Sequence, residues 1–206
     1  MKDIIVRYTQ SNIKEIILII TIMFIGMIIG VLCINNISSE NENNIKTYLN
    51  DMISEMKKID NYKEVNQVNI LNNNLKNNIL YILIIGILSA SVLGIFIVYI
   101  LLLIKGFSIG YSMSAIMATF GTKKGIIFIC SSMILHNIIY IIGILLVSIN
   151  GINLYNYILH NERTEIKIKI IRHIVFIIIA ILFGIISAIF ETYISNTIFF
   201  MIRHYM

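Results

Sequence analysis

The chain contains no proline and no tryptophan, two cysteines, and charged residues at only 13%. Each shortage excludes something. Without proline, helix kinks that arise from a missing backbone donor are ruled out. Without tryptophan, an interfacial aromatic belt has to be built from tyrosine, and Tyr8, Tyr81, Tyr155, Tyr157 and Tyr193 stand near the ends of long apolar runs. Cys33 and Cys130 fall in different runs with no CxxC spacing, which excludes a disulfide framework or a zinc site. The residue sets of catalysis are missing too. No Ser, His and Asp set, paired catalytic carboxylates, phosphate-binding glycine loop or HExxH motif can be assembled. The chain is therefore read as non-enzymatic, with no cofactor and no metal expected.

What is abundant is apolar. Of 206 residues 58% are hydrophobic and the mean hydropathy is +0.87, too high for an ordinary soluble domain. The fold class expected is an all-α polytopic membrane bundle. Four runs are long enough to cross a ~30 Å hydrocarbon core at 1.5 Å per residue: Ile16 to Ile34, Ile79 to Ile104, Ile126 to Ile149, and Ile174 to Ile194. The net charge of +5 is modest and its basic residues cluster beside these runs, which suits a lipid bilayer and argues against nucleic acid. The wealth of isoleucine, asparagine and lysine fits AT-rich coding.

Three regions follow. Residues 1–34 form a short basic amino terminus and a first anchor, read as uncleaved and cytoplasmic at its start because Lys2, Arg7 and Lys14 precede the apolar run. Residues 35–78 are the only sizeable polar stretch and are expected to lie outside the cytoplasm. Within them Ile45, Leu49, Met52, Met56 and Ile59 recur at helical spacing behind a Ser39/Glu42 capping box, and Val65, Val68, Leu71 and Leu75 form a weaker stripe. The segment is read as amphipathic helix, with a solvated linker as the alternative. So short a segment cannot bury such a stripe alone, so Ile45, Leu49, Met52 and Met56 become candidate docking residues for a partner.

Residues 79–206 hold the membrane core. Gly86, Ala90 and Gly94 recur every four residues, as do Gly106, Gly110, Ser114 and Ala118, and each set would give a helix a nearly side-chain-free face for close packing. The same faces allow a homodimer. Residues 105–121 are expected to form a short third helix that spans thinly or re-enters. Five spans place Lys2, Arg7, Lys14, Lys105, Arg163, Lys167, Lys169 and Arg172 inside, and the density of the Arg163 to Arg172 cluster favours this count over four spans with a re-entrant segment.

Polar residues inside a span need protein or water as partners. His136, Asn137 and Tyr140 stand together in the fourth run, with Ser132 and Gly143 on the same face, and Glu191 lies in the last run with Gly184, Ser187 and Ser195. These are read as interhelical hydrogen-bonding groups, or as the lining of an ion path. Depth favours His136 over Lys105 as the neighbour of Glu191, because Lys105 is placed at the opposite face. The path reading belongs to a second functional class, a small permease or transport-complex subunit.

The order of features, with Lys105-Gly106-Phe107-Ser108-Ile109-Gly110, Leu135-His136-Asn137-Ile138-Ile139-Tyr140 and Ala188-Ile189-Phe190-Glu191-Thr192-Tyr193-Ile194, resembles the stage II sporulation protein M family from about Leu75 onward. The first of these motifs is read as a polar glycine turn entering the third span. Leu135 and Ile142 stand where the family pattern would have prolines. The resemblance implies a membrane scaffold for engulfment in endospore formation, recruiting the peptidoglycan-degrading stage II sporulation proteins D and P at the septal and then engulfing mother-cell membrane.

Overall fold

The computed structural model describes residues 2–58, 67–91, 94–159 and 166–195. Ile59, Val65 and Arg163 lie outside the described residues, as do the side chains of Met52 and Met56. Every described element is helical: α1 (Lys2–Ser11), α2 (Ile13–Asn35), α3 (Ser39–Lys58), α4 (Gln67–Ser89), α5 (Gly94–Phe128), α6 (Ile134–Leu159) and α7 (Ile166–Ile189), with π-helical turns at Ile129–Met133 and Phe190–Ser195. Among the described residues three stretches are long and apolar enough to cross a membrane: Ile13–Asn35, Gly94–Leu159, and Ile166–Ile194.

The helix directions follow from the contacts. Gly26 and Gly30 of α2 abut the backbone at Leu103, Phe107 and Tyr111, while Gly106 and Gly110 of α5 abut the backbone at Met23 and Met27. Residue numbers rise together, so α2 and α5 run parallel, glycine row against glycine row. A side chain at any of the four would collide with the opposite main chain, a contact only glycine allows. Helix α4 runs antiparallel to α5, with Tyr81 Oη donating to the Leu101 carbonyl at 2.5 Å. It runs parallel to α6, where Tyr140 meets Asn78 and Gly151 meets Ser89. Helix α7 is antiparallel to both α4 and α6, with Gly184 against Ile82 and Gly143 against Ala180 and Phe183. Directions therefore alternate from α4 through α7, and the bundle has an α1 end and an α3 end.

Its core is formed by Ile19, Ile82, Ile85, Val98, Leu102, Ile144 and Val147, all fully buried. Large apolar side chains also cover the outside: Ile171, Ile174, Ile178, Leu182 and Ile186 form an exposed stripe on α7, with Ile178 at 55% exposure. A soluble monomer rarely displays such a surface, whereas lipid covers it at no cost.

The helix boundaries correct several expectations. The apolar run Ile79 to Ile104 is not one helix, because α4 ends at Ser89 and α5 begins at Gly94. Ser91 makes the break. Its hydroxyl donates to the Leu88 carbonyl at 3.0 Å and accepts the Gly94 N–H at 2.9 Å, satisfying a group on each side of the turn. Gly86, Ala90 and Gly94 accordingly share no face: Gly86 packs on Ile177, Gly94 fits under the Leu88 carbonyl, and Ala90 is exposed in the turn. The third long helix is neither short nor preceded by a turn at residues 105–110. Helix α5 runs unbroken through Lys105 and Gly106 until Gly121, whose φ of 76° and ψ of 167° reverse the chain. That conformation is essentially restricted to glycine. The 78/79 boundary drawn from hydropathy falls inside α4.

Candidate functional site

The asparagine-rich start of α4 enters the bundle rather than staying in a loop. Asn74, Asn77 and Asn78 recur at helical spacing and face α6 and α7. The Asn74 amide donates to Thr192 Oγ1 and the Asn78 amide to the Gly184 carbonyl, each at 3.3 Å. From α6 come His136, Asn137 and Tyr140. Tyr140 Oη donates to the Asn78 carbonyl at 3.3 Å, and the Asn137 amide donates to the Met133 carbonyl at 2.8 Å and toward His136 Nε2 at 3.2 Å. From α7, Ser187 Oγ donates to the His136 carbonyl at 2.9 Å. Together with Lys105 of α5 and Glu191 they enclose a polar cavity of about 210 Å³.

Two π-helical turns flank this cavity, one just before His136 and one carrying Glu191. A π turn displaces backbone hydrogen bonds by one residue, and side chains here cover the displaced acceptors: Ser131 and Ser132 both donate to the Phe128 carbonyl, at 3.0 and 2.9 Å. Lys105 holds its ammonium 4.6 Å from the centre of the Tyr140 ring, a cation–π contact. Lys105 and Glu191 line the same cavity. No direct ion pair between them occurs among the described residues.

Lys105 is thus not at a membrane face, and depth does not separate it from Glu191. The shift follows from the Ser91 break, which starts α5 earlier and carries Lys105 into its interior. Tyr81, expected in an interfacial belt, is interior as well, tilted against Tyr140 at 6.4 Å. Hydropathy alone passed over Asn74, Asn77 and Asn78, although their spacing directly ahead of an apolar run was the available signal.

The small-residue set of α5 divides. Gly106 and Gly110 are buried against α2 and Ser114 is buried one turn further on, whereas Ala118 is exposed. At the α3 end, Ile45 and Leu49 of α3 line an open apolar groove of about 400 Å³ with Tyr111, Ala115 and Ile116 of α5, and Tyr48 stands 69% exposed at its edge. Among the described residues no three His, Cys, Asp or Glu side chains converge to hold a metal.

Helices long and apolar enough to cross a membrane, an apolar exterior and a polar cavity set inside an apolar core define the class as a polytopic helical membrane protein. The chain belongs to the stage II sporulation protein M family, whose family model matches residues 19–196. Comparison with the curated proteins and with the solved structures found no match.

Proposed function

We propose that this protein is a non-enzymatic scaffold that holds peptidoglycan-degrading hydrolases, the stage II sporulation proteins D and P, at the septal and engulfing mother-cell membrane. Family membership supplies the process. The observation that carries the docking role is the groove between α3 and α5, where Ile45 and Leu49 present apolar surface that the other described residues leave open. A groove of this kind takes an apolar helix or loop of a partner.

The topology that goes with this reading is five crossings, by α2, α4, α5, α6 and α7. Alternating directions from α4 to α7 support it, and so does the gathering of Lys14, Lys167, Lys169 and Arg172 at the α1 end, the cytoplasmic face by the positive-inside rule. Helix α4 is the least apolar of the five, and it crosses with its asparagines turned inward.

Replacing both Ile45 and Leu49 with aspartate puts charge into the groove. Co-purification from sporulating cells, at matched membrane abundance, is expected to lose at least ten-fold in hydrolase recovery. Undiminished recovery would place docking elsewhere. The polar cavity favours a second reading, a small permease or transport-complex subunit with Lys105, His136 and Glu191 along its path. Solute or proton flux into vesicles containing the protein, abolished by Glu191→Gln, would establish that reading instead.

A further inference from the structure

A second polar cavity, also about 210 Å³, opens at the α1 end among α1, α6 and α7. Its construction differs from that of the first. Its lining offers two cations, Lys169 and Arg172, and no carboxylate among the described residues. Both heads are held by aromatic rings rather than by anions: the Lys169 ammonium sits 4.9 Å from the centre of the Tyr157 ring, and the Arg172 guanidinium 5.8 Å from that of Phe176. Neither has a carboxylate partner among the described residues.

The opposite wall is a fixed frame of amides. Asn12 Nδ2 donates to the Tyr8 carbonyl at 2.7 Å, Asn150 Nδ2 to Tyr8 Oη at 2.7 Å, and Asn153 Nδ2 to Asn12 Oδ1 at 2.6 Å. The last two bonds tie α6 to α1 and to the Asn12 junction that follows it. An independent observation comes from His173, only 3% exposed and also in the lining. Its Nε2 donates to the Gly86 carbonyl at 2.9 Å, with Ser89 Oγ at 3.3 Å. Its Nδ1 is buried and has no hydrogen-bond partner. A buried acceptor left unpaired is costly, so Nδ1 marks a place where a hydrogen-bond donor such as a ligand hydroxyl completes the structure, and the two cations beside it, without a carboxylate partner among the described residues, mark a place for an anion.

We propose that this cavity binds a phosphate-bearing anion, with the phosphate on Lys169 and Arg172 and a further polar group of the ligand within reach of the His173 side of the wall. A phosphodiester suits the site, because guanidinium and ammonium groups together grip phosphate oxygens, and basic pockets between helices at a membrane face are placed to receive lipid headgroups. Two sources share this chemistry: the headgroup of an anionic phospholipid, and free phosphate.

The test uses the full chain purified in a neutral detergent and follows its thermal midpoint at constant ionic strength. The probes are phosphatidylglycerol, phosphatidylcholine and inorganic phosphate. Phosphatidylglycerol is expected to raise the midpoint by several degrees over phosphatidylcholine. A rise with the lipid alone assigns the site to a headgroup, and a comparable rise with inorganic phosphate assigns it to the free anion. The Lys169→Gln/Arg172→Gln double variant is expected to lose most of the rise. Lys14→Gln, which alters a charge at the same end but outside the cavity, is expected to keep it. No rise with either phosphate source overturns the proposal, as does an undiminished rise in the double variant or an equal loss in Lys14→Gln. Native mass spectrometry of the wild-type protein from an equimolar mixture of the two lipids decides the matter if the double variant does not accumulate: preferential retention of phosphatidylglycerol supports the site, and equal retention overturns it.

Discussion

The α2/α5 seam and the α4/α6/α7 trio solve one problem in opposite ways. Lipid is as apolar as the helices it surrounds, so burial of apolar side chains does little to bring helices together. The seam relies on contact. Gly26, Gly30, Gly106 and Gly110 remove side chains from both partners until main chain meets main chain. The trio relies on polar groups: Asn74, Asn78, Tyr140 and Ser187 bond across helices, and a charged, hollow centre remains between them. Close packing leaves no room for change, whereas a polar cavity has slack. The two regions should therefore fail differently.

The sharpest break belongs to the seam. Gly106→Leu or Gly110→Leu drives a side chain into the backbone at Met23 or Met27, with no flexible group to give way. The expected cost is about 3 kcal/mol or more, at the upper end of what overpacking costs. It should appear as loss of membrane accumulation and a collapsed thermal midpoint. Normal levels of both variants would show that the seam is not close-packed.

Charge in the trio comes next. Lys105→Met leaves Glu191 without its opposite charge, and Glu191→Gln does the converse. Each single variant is expected to lose about 2–3 kcal/mol, as for a buried polar group deprived of its partner. The Lys105→Met/Glu191→Gln double variant should lose less than the two singles summed. Strict additivity in thermal denaturation would mean that the two charges do not feel each other.

The smallest effect should come from a neutral bond. Asn78→Leu removes the amide that donates to the Gly184 carbonyl and is expected to cost about 1 kcal/mol, in the range measured for hydrogen bonds between membrane helices. A loss as large as that of Gly110→Leu would erase the contrast between the two regions.

Much of this arrangement was written in local pattern. The apolar runs, the glycine periodicity at Gly106 and Gly110 and the family motifs all depend on residues close together in the chain, where spacing maps directly onto a helix face. Hydropathy misled where length and chemistry competed. A run from Ile79 to Ile104 reads as one span because apolar residues look alike on either side of a turn, and only the hydrogen bonds of Ser91 mark the break. From that one boundary followed the misplacement of Lys105, the false common face of Gly86, Ala90 and Gly94, and the short third helix. Sequence by itself determined that the chain is helical, apolar on its outside and a member of its family. Which polar residues meet was decided only by the tertiary structure, because Asn78, Lys105, His136 and Glu191 come from four segments whose relative height is set by helix packing and not by anything local to each.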